Sequence, residues 1–166
     1  MKWSQWHKPG LAHELETTEI GLTPRDGRSV SQFVSVEPVR SISTSFGTFI
    51  REESNSLVFT DWGFDAGTLA GIELRLRVRR LARIQDKVIQ LWDGTKTIGE
   101  NLADLSAEDD HTYGSESDRW GVPRDYGFPL DSPQFGVVID LQPHTEIPCS
   151  DTVILRSVRM RVYYSD

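Results

Sequence analysis

The sequence predicts an all-β fold: a two-sheet antiparallel sandwich of the jelly-roll type. Three observations predict it. Short segments alternate apolar and polar residues, turn-forming residues separate them, and no long segment carries a helical period. With 166 residues, 37% of them hydrophobic, the chain has the size and composition of one folded domain. We expect residues 21–166 to form that domain and residues 1–20 to form an N-terminal arm.

The clearest strand signal is the strict alternation of apolar and charged residues over residues 72–79. Successive side chains of a strand leave opposite faces, so the aliphatic residues are predicted to face a core and the charged ones solvent or a partner. Residues 158–164 repeat this pattern near the end of the chain. Both segments are predicted to be strands with one buried face.

Shorter β-rich runs predict the remaining strands, at residues 30–36, 41–50, 57–59, 87–92 and 134–141. Asp93-Gly94 predicts a hairpin with a tight two-residue turn, because this pair accepts positive φ angles. Only residues 101–109 suggest a turn of helix. Residues 106–132 are too long for a simple connection, so we expect either a packed Ω-like loop or the working surface.

Charge argues against nucleic acid and anionic membranes as partners. The chain carries 18 Lys and Arg against 25 Asp and Glu, a net charge of −7. Arginines nevertheless fill the outward positions of the two alternating segments. Because arginine is favoured in protein interfaces, this row is predicted to be an assembly contact. Its members are Arg75, Arg77, Arg79, Arg159 and Arg161.

Motifs for catalysis are missing from the sequence. It contains no Gly-x-Ser-x-Gly elbow and no glycine-rich phosphate loop, and His7, His13, His111 and His144 do not have metal-site spacing. Cys149 is the single cysteine, which excludes an intrachain disulfide. We therefore expect no enzymatic activity, no cofactor and no metal. A cell-wall hydrolase would need paired carboxylates across a cleft, and is the least favoured alternative.

The long segment combines carboxylates with aromatic residues. Its acidic residues, between 104 and 118, match no defined calcium loop, so a solvated acidic loop is favoured over a calcium site. Tyr113, Trp120 and Tyr126 are candidates for a glycan-binding platform. The competing interpretation, which we prefer, makes Trp120 a plug that packs the loop onto the sheets.

A series of short landmarks follows one another along the chain. They are Trp62-Gly63-Phe64; Gly71-Ile72-Glu73-Leu74; the segment from Asp86 to Leu91; Ile98-Gly99-Glu100-Asn101; Tyr113-Gly114 with Ser117-Asp118-Arg119-Trp120-Gly121; Asp131-Ser132-Pro133-Gln134-Phe135-Gly136-Val137; and the segment from Val158 to Tyr164. Their order resembles a family of bacteriophage virion β-domain proteins. The resemblance covers residues 57–164, and Trp6, Pro9 and Ala12 are similar to the opening of that family. Trp62 stands where Phe is usual and Ser115 where a second Gly is usual.

The resemblance implies a structural role without catalytic residues. Members look like uncharacterised virion proteins encoded among head and tail genes. It therefore implies a protein of the virion, assembled in the host cytoplasm, that binds itself or other virion proteins on the tail (neck, baseplate or fibre attachment) or as a capsid decoration or cement protein. The landmark glycines would supply unusual backbone angles, and the other landmark residues would maintain the fold. These residues are Gly63, Gly114, Gly121 and Gly136, with Asp118 and Phe135.

The N-terminus contains Trp3 and Trp6 but no apolar run of the kind that a signal peptide or a membrane span requires. We expect these two tryptophans to lie on an arm that orders on binding a neighbouring subunit. A glycan-binding module for host surfaces is the alternative function.

Overall fold

The computed structural model describes residues 2–14, 34–36, 41–44, 47–50, 57–79, 84–143 and 153–165. Within these ranges the chain forms strands and turns and no helix, so none is present there that could span a membrane. The strands are β1 (Lys2–Trp3), β2 (Leu11–Glu14), β3 (Val34–Val36), β4 (Ser41–Thr44), β5 (Gly47–Ile50), β6 (Leu57–Thr60), β7 (Leu69–Arg79), β8 (Ile84–Trp92), β9 (Thr97–Ile98), β10 (Asp110–Ser115), β11 (Gly136–Pro143) and β12 (Val153–Tyr164).

Two antiparallel sheets contain most of these strands. The first sheet has the order β1-β12-β7-β10, and β3 also pairs with β12. The second sheet has the order β2-β6-β11-β8-β9, while β4 and β5 form a separate hairpin. The predicted all-β, two-sheet antiparallel sandwich is therefore confirmed.

The strand order is that of a jelly roll. Eight strands, β1 and β6 to β12, form the roll. They pair from the two ends of the chain inward: β1 with β12, β6 with β11, β7 with β10, and β8 with β9. Successive pairs alternate between the two sheets, which is how a folded double Greek key closes. The pairings β12–β7 and β11–β8 then join the pairs within each sheet.

The core lies between the sheets and is formed by the inward rows that the alternation predicts. From Ile72 to Val78 on β7 and from Val158 to Tyr164 on β12 every second residue is buried, which confirms the predicted inward rows of both strands, although Tyr163, predicted to face outward, is also buried. The buried residues of these rows are Ile72, Leu74, Leu76 and Val78 on β7, and Val158, Met160, Val162 and Tyr164 on β12. Aliphatic residues of β6, β8 and β11 complete the same cluster from the second sheet.

Strand β11 is covered on both of its faces. Val137, Ile139 and Leu141 belong to the core cluster, yet Val138 and Asp140 on the opposite face are also only 2% and 4% exposed. The strand lies between β6 and β8 in the second sheet. The sequence predicts this strand, but it starts at Gly136, two residues later than expected.

Three local expectations are wrong. The β8–β9 hairpin exists, but Trp92 pairs with Thr97, so its loop has four residues rather than two. Residues 101–109 contain no helical turn. The long segment is not all loop, because β10 lies inside it and pairs with β7 over six residues. Residues 30–33 and 45–46 of the predicted strands lie outside the described part of the chain.

The N-terminal residues do not form a free arm. Strand β1 extends the first sheet beside β12, and β2 extends the second beside β6. Between them, His7 forms a bridge with Met160, and its Nδ1–H donates to the Trp62 carbonyl at 2.8 Å. Residues 2–14 therefore cross from one sheet to the other and are held by both. Residues 15–20 of the predicted arm lie outside the described part.

Candidate functional site

Trp120 is the centre of the long loop that follows β10. Its side chain is 0% exposed, and Nε1–H donates a 3.1 Å hydrogen bond to the carbonyl of Ile72 on β7. The backbone has a φ of 56°, which costs a non-glycine residue free energy. A large buried aromatic ring offsets that cost through the apolar area it removes from water.

Neighbouring landmark residues fix this tryptophan from several sides. Asp118 Oδ1 accepts a 2.7 Å hydrogen bond from the Trp120 backbone N–H, and the Trp120 carbonyl accepts one of 2.6 Å from Glu100. Gly121 continues the turn with a φ of 71°. Gly114 leaves room for the indole, since a Cβ there would lie 2.5 Å from Trp120 Nε1 and overlap the Ile72 carbonyl oxygen.

Arg119 stabilises the same loop by donating hydrogen bonds to backbone carbonyls. Its guanidinium donates to the carbonyls of Leu69, Val122 and Pro123, which belong to β7 and to the loop itself. Burial, and then the positive charge of Arg124, lower the pKa of Arg119 from its ordinary value. The landmarks around Gly114 and Trp120 thus converge on one structural unit, which we call the tryptophan plug: Gly114, Asp118, Arg119, Trp120 and Gly121.

The burial of Trp120 and Tyr113 contradicts the alternative in which these residues form a glycan-binding platform. Trp120 is fully enclosed, and Tyr113 is 3% exposed with its hydroxyl donating a 2.5 Å hydrogen bond to the buried Asp86 carboxyl. Tyr126 is half-buried and donates to Asp93 Oδ2 at 3.1 Å. A ring must face solvent to stack on a sugar, so these three residues do not form a platform in this structure.

The remaining landmark residues also serve packing. Gly63 has a φ of 70° in the turn after Trp62, whose indole donates to the Phe59 carbonyl at 3.0 Å. Phe135 is 0% exposed. The prediction that Gly136 supplies an unusual backbone angle is wrong, because its φ is not positive. A Cβ at that position would instead overlap the carbonyl oxygen of Phe59 on the neighbouring strand.

The outer face of the first sheet carries the predicted arginine row. Register places Arg159 beside Arg75 and Arg161 beside Glu73 on β12 and β7, and Asp110 of β10 opposite Arg77. Trp3 shares this face at the edge, since it pairs with Tyr163. We call this surface the contact face. The side chain of Arg79 lies outside the described part.

Two of the predicted contact residues, Trp6 and Arg161, pack against each other within the chain. Arg161 donates twice to Glu73 Oε2, at 3.0 and 2.5 Å, and its guanidinium stacks 4.6 Å from the Trp6 ring. The Tyr163 hydroxyl donates to the same Glu73 oxygen, and burial, then this bond, raise the pKa of Tyr163. Trp6 and Arg161 therefore hold the N-terminal segment on the sheet.

The other predicted contact residues remain at the surface. Arg75 donates two hydrogen bonds, of 2.9 and 2.8 Å, to the Asp110 carboxylate, and Arg77 Nε lies 3.8 Å from the same carboxylate. The bond from Arg75 lowers the pKa of Asp110. Arg159 is exposed without an acidic partner among the described residues, and Trp3 is 59% exposed. The contact face thus combines excess positive charge with one exposed indole.

A Ser–Asp–His grouping lies near β10, but its order does not suit nucleophilic catalysis. Ser106 Oγ donates to Asp104 Oδ1 at 2.8 Å, and His111 Nε2 lies 3.5 Å from Asp104 Oδ2. The carboxylate therefore stands between the hydroxyl and the imidazole, whereas a nucleophilic serine needs the imidazole next to its hydroxyl. Within the described ranges, no group of three or more His, Cys, Asp or Glu side chains is placed to hold a metal ion.

Comparisons with known proteins return no match: no family model, no curated protein and no solved structure matches the chain. The family resemblance of the landmark residues stays a prediction.

Sequence reasoning missed two features of the site. One is the stacking of the Arg161 guanidinium on the Trp6 ring. These residues lie at opposite ends of the chain, so no local sequence pattern indicates their contact. The other is the buried pair of Asp86 and Tyr113, which links β8 of one sheet to β10 of the other. No local signal marked the second, because Asp86 stands between the polar residues Gln85 and Lys87. Its burial, and the donor that a buried carboxyl group needs, are visible only in the folded chain.

Proposed function

We propose that the protein is a non-enzymatic structural component of a bacteriophage virion, which assembles through the contact face with copies of itself or with other virion proteins on the tail or on the capsid. The observation that carries the proposal is the exposure of Trp3 and Arg159 on one face of a jelly roll. Tryptophan and arginine are the residues that most often dominate binding energy at protein interfaces.

The rest of the molecule supports the role of a rigid unit. The aromatic residues of the long loop turn inward onto the sheets rather than outward to a ligand, and Trp120 lies at their centre. The N-terminal segment is fastened to both sheets by pairing and by the stacking of Trp6 on Arg161. A unit of this kind presents its neighbours with a preorganised surface, which reduces the entropy lost on assembly.

The direct test is the protein content of particles. Phage particles purified by density gradient from a phage that encodes this chain are digested and analysed by mass spectrometry, with a replication protein of the same phage as the control for contamination. The proposal requires that the chain be recovered in fixed proportion to the other particle proteins while the control is absent. Recovery only in the soluble lysate would refute it.

A substitution tests the contact face within the same system. Trp3→Ala is preferable to deleting the segment, because residues 2–14 pair with both sheets and their removal would damage the fold. We expect a folded Trp3→Ala protein to be incorporated less efficiently than the wild type, since an exposed indole at an interface commonly contributes more than 1 kcal/mol, about a fivefold effect. Lys96→Ala, an exposed change in the loop between β8 and β9 of the second sheet, serves as the control.

A further inference from the structure

The contact face contains an unusual pair of like charges. Arg159 and Arg75 are direct neighbours across β12 and β7, an arrangement that destabilises a sheet unless the charges are compensated. Asp110 compensates Arg75 through two hydrogen bonds and also lies near Arg77. Asp110 therefore contacts two of the three arginines, and Arg159 has no acidic partner among the described residues. The group of Arg75, Arg77 and Arg159, which we call the arginine patch, keeps an excess of positive charge although the whole chain is strongly negative.

Exposed carboxylates gather at a different place, the end of the sandwich where β6 ends and β7 and β11 begin. Asp61, Asp65 and Asp131 are all exposed there. Hydrogen bonds fix the backbone that carries them: the Asp61 N–H donates to the Pro133 carbonyl at 2.9 Å, and the Asp65 carbonyl accepts from the Tyr164 hydroxyl at 3.2 Å. We call this surface the acidic end. Two lysines of the N-terminal segment are nearby, Lys8 and Lys2, whose ammonium lies 5.8 Å from the centre of the Tyr164 ring, so the three carboxylates exceed the lysines by one.

We infer that the partner of the arginine patch is a second copy of this chain, which inserts its acidic end. Complementary potentials of this kind select partners and fix their orientation. Packing the patch on the same patch of another copy would bring together the excess positive charge of both copies, which opposes that arrangement. This inference rests on the proposed assembly role and names the partner within it.

The geometry of the two surfaces sets the symmetry of the contact. The arginine patch lies on the broad face of the first sheet, whereas the acidic end lies at the strand termini, so the two surfaces point in different directions. Two copies therefore cannot exchange both contacts at once, as a two-fold dimer would require. Each copy would instead bind the next in head-to-tail fashion, which generates a ring when the rotation closes and a stack when it does not.

Sedimentation velocity of the purified full-length chain tests the inference. Ionic strength is raised from about 0.01 M to about 1 M, which shortens the Debye length from about 30 Å to about 3 Å. We expect oligomers larger than dimers at low ionic strength, and self-association at least about tenfold weaker at high ionic strength. Arg159→Glu and the double variant Asp65→Lys/Asp131→Lys should each be monomeric at low ionic strength. Arg124→Glu, an exposed arginine outside the patch, is the matched control and should associate as the wild type does.

Mixing the variants decides whether the two surfaces bind each other. Arg159→Glu keeps its acidic end, and the double variant keeps its arginine patch, so a one-to-one mixture should form heterodimers that go no further. Monomers in the mixture, monomeric wild type at low ionic strength, or association unaffected by Arg159→Glu would each overturn the inference. If the wild type is monomeric yet particles contain the chain, the patch binds another virion protein, so the inference fails while the proposed function stands.

Discussion

Gly114→Ala is the perturbation for which the structure gives the most definite expectation. Gly114 has a φ of 77°, where an alanine costs about 1–2 kcal/mol. The new Cβ would overlap the Ile72 carbonyl oxygen and lie 2.5 Å from Trp120 Nε1. Forcing an additional carbon into a packed site costs about 1–3 kcal/mol, and loss of the indole hydrogen bond at a buried carbonyl costs about 1–3 kcal/mol more.

Together these effects predict a loss of about 3 kcal/mol or more from a total free energy of unfolding of about 5–15 kcal/mol. Urea denaturation followed by circular dichroism measures it. Two glycines provide graded controls. Gly127 has no positive φ and open space around it, so Gly127→Ala should raise stability by about 0.4–1 kcal/mol, because alanine restricts the unfolded chain. Gly63 has a positive φ but open space, so Gly63→Ala should cost about 1–2 kcal/mol.

The order of the three variants is the decisive result. Steric closure of the plug requires Gly114→Ala to be the most destabilised and Gly127→Ala the least. A Gly114→Ala protein within about 1 kcal/mol of the wild type would contradict the plug, because it would mean that Trp120 can move away at little cost.

Three further outcomes follow from the polar contacts. Tyr113→Phe should lower the free energy of unfolding by about 1–3 kcal/mol in thermal denaturation, because it removes a hydrogen bond to the buried Asp86 carboxyl; an unchanged melting temperature would contradict this. Burial, then the bond to Glu73, raise the pKa of Tyr163, which favours the protonated phenol in the folded state. This contribution to the free energy of unfolding is fully present below pH about 10 and is lost as pH rises through the raised pKa. Tyr163→Phe should therefore reduce the loss of stability in unfolding curves recorded from pH about 8 to about 11. An equally steep loss in the variant would contradict this role of Tyr163. Although burial acts to raise the pKa of Asp93, hydrogen bonds from Thr95 and Lys96 lower it overall. The ionised carboxylate therefore adds to the free energy of unfolding above pH about 4, and this stabilisation is lost as pH falls through the lowered pKa. Asp93→Ala should therefore cost about 1 kcal/mol at neutral pH and less in acid, and a cost independent of pH would refute that assignment.

Strands with one wet face were predictable because their chemistry is local. Leu74 and Arg75 on β7, or Met160 and Arg159 on β12, differ in polarity at adjacent positions, and the structure buries one of each pair. Strand β10 carries no such alternation. Tyr113 is its one core residue, and its other side chains are polar because β10 is an edge strand of the first sheet.

The contact residues were predictable only as candidates. Sequence placed arginines at outward positions, but whether an arginine is free depends on residues far along the chain. Glu73 and Trp6 engage Arg161, while Asp110 engages Arg75. Arg159 faces Arg75 in the register and keeps its charge uncompensated among the described residues. Pairing register between distant strands decides these differences, and a single sequence does not specify that register.

The burial of Trp120 and Tyr113 shows the same limit for the loop. An aromatic residue followed by a glycine, as both Tyr113 and Trp120 are, is compatible with both an exposed platform and a buried plug. The distinction depends on Ile72, whose carbonyl accepts from the indole, and on Gly114, which leaves space for it. Both residues lie on the paired strands β7 and β10, so the plug depends on contacts that only the paired strands provide.

Electron microscopy of an intact particle, with this chain traced in the density, shows whether the contact face takes part in assembly. We predict a jelly roll whose contact face, including Trp3 and Arg159, is buried against a neighbouring subunit. Density that shows this face open to solvent in every copy, or a particle in which no subunit has this fold, would contradict it.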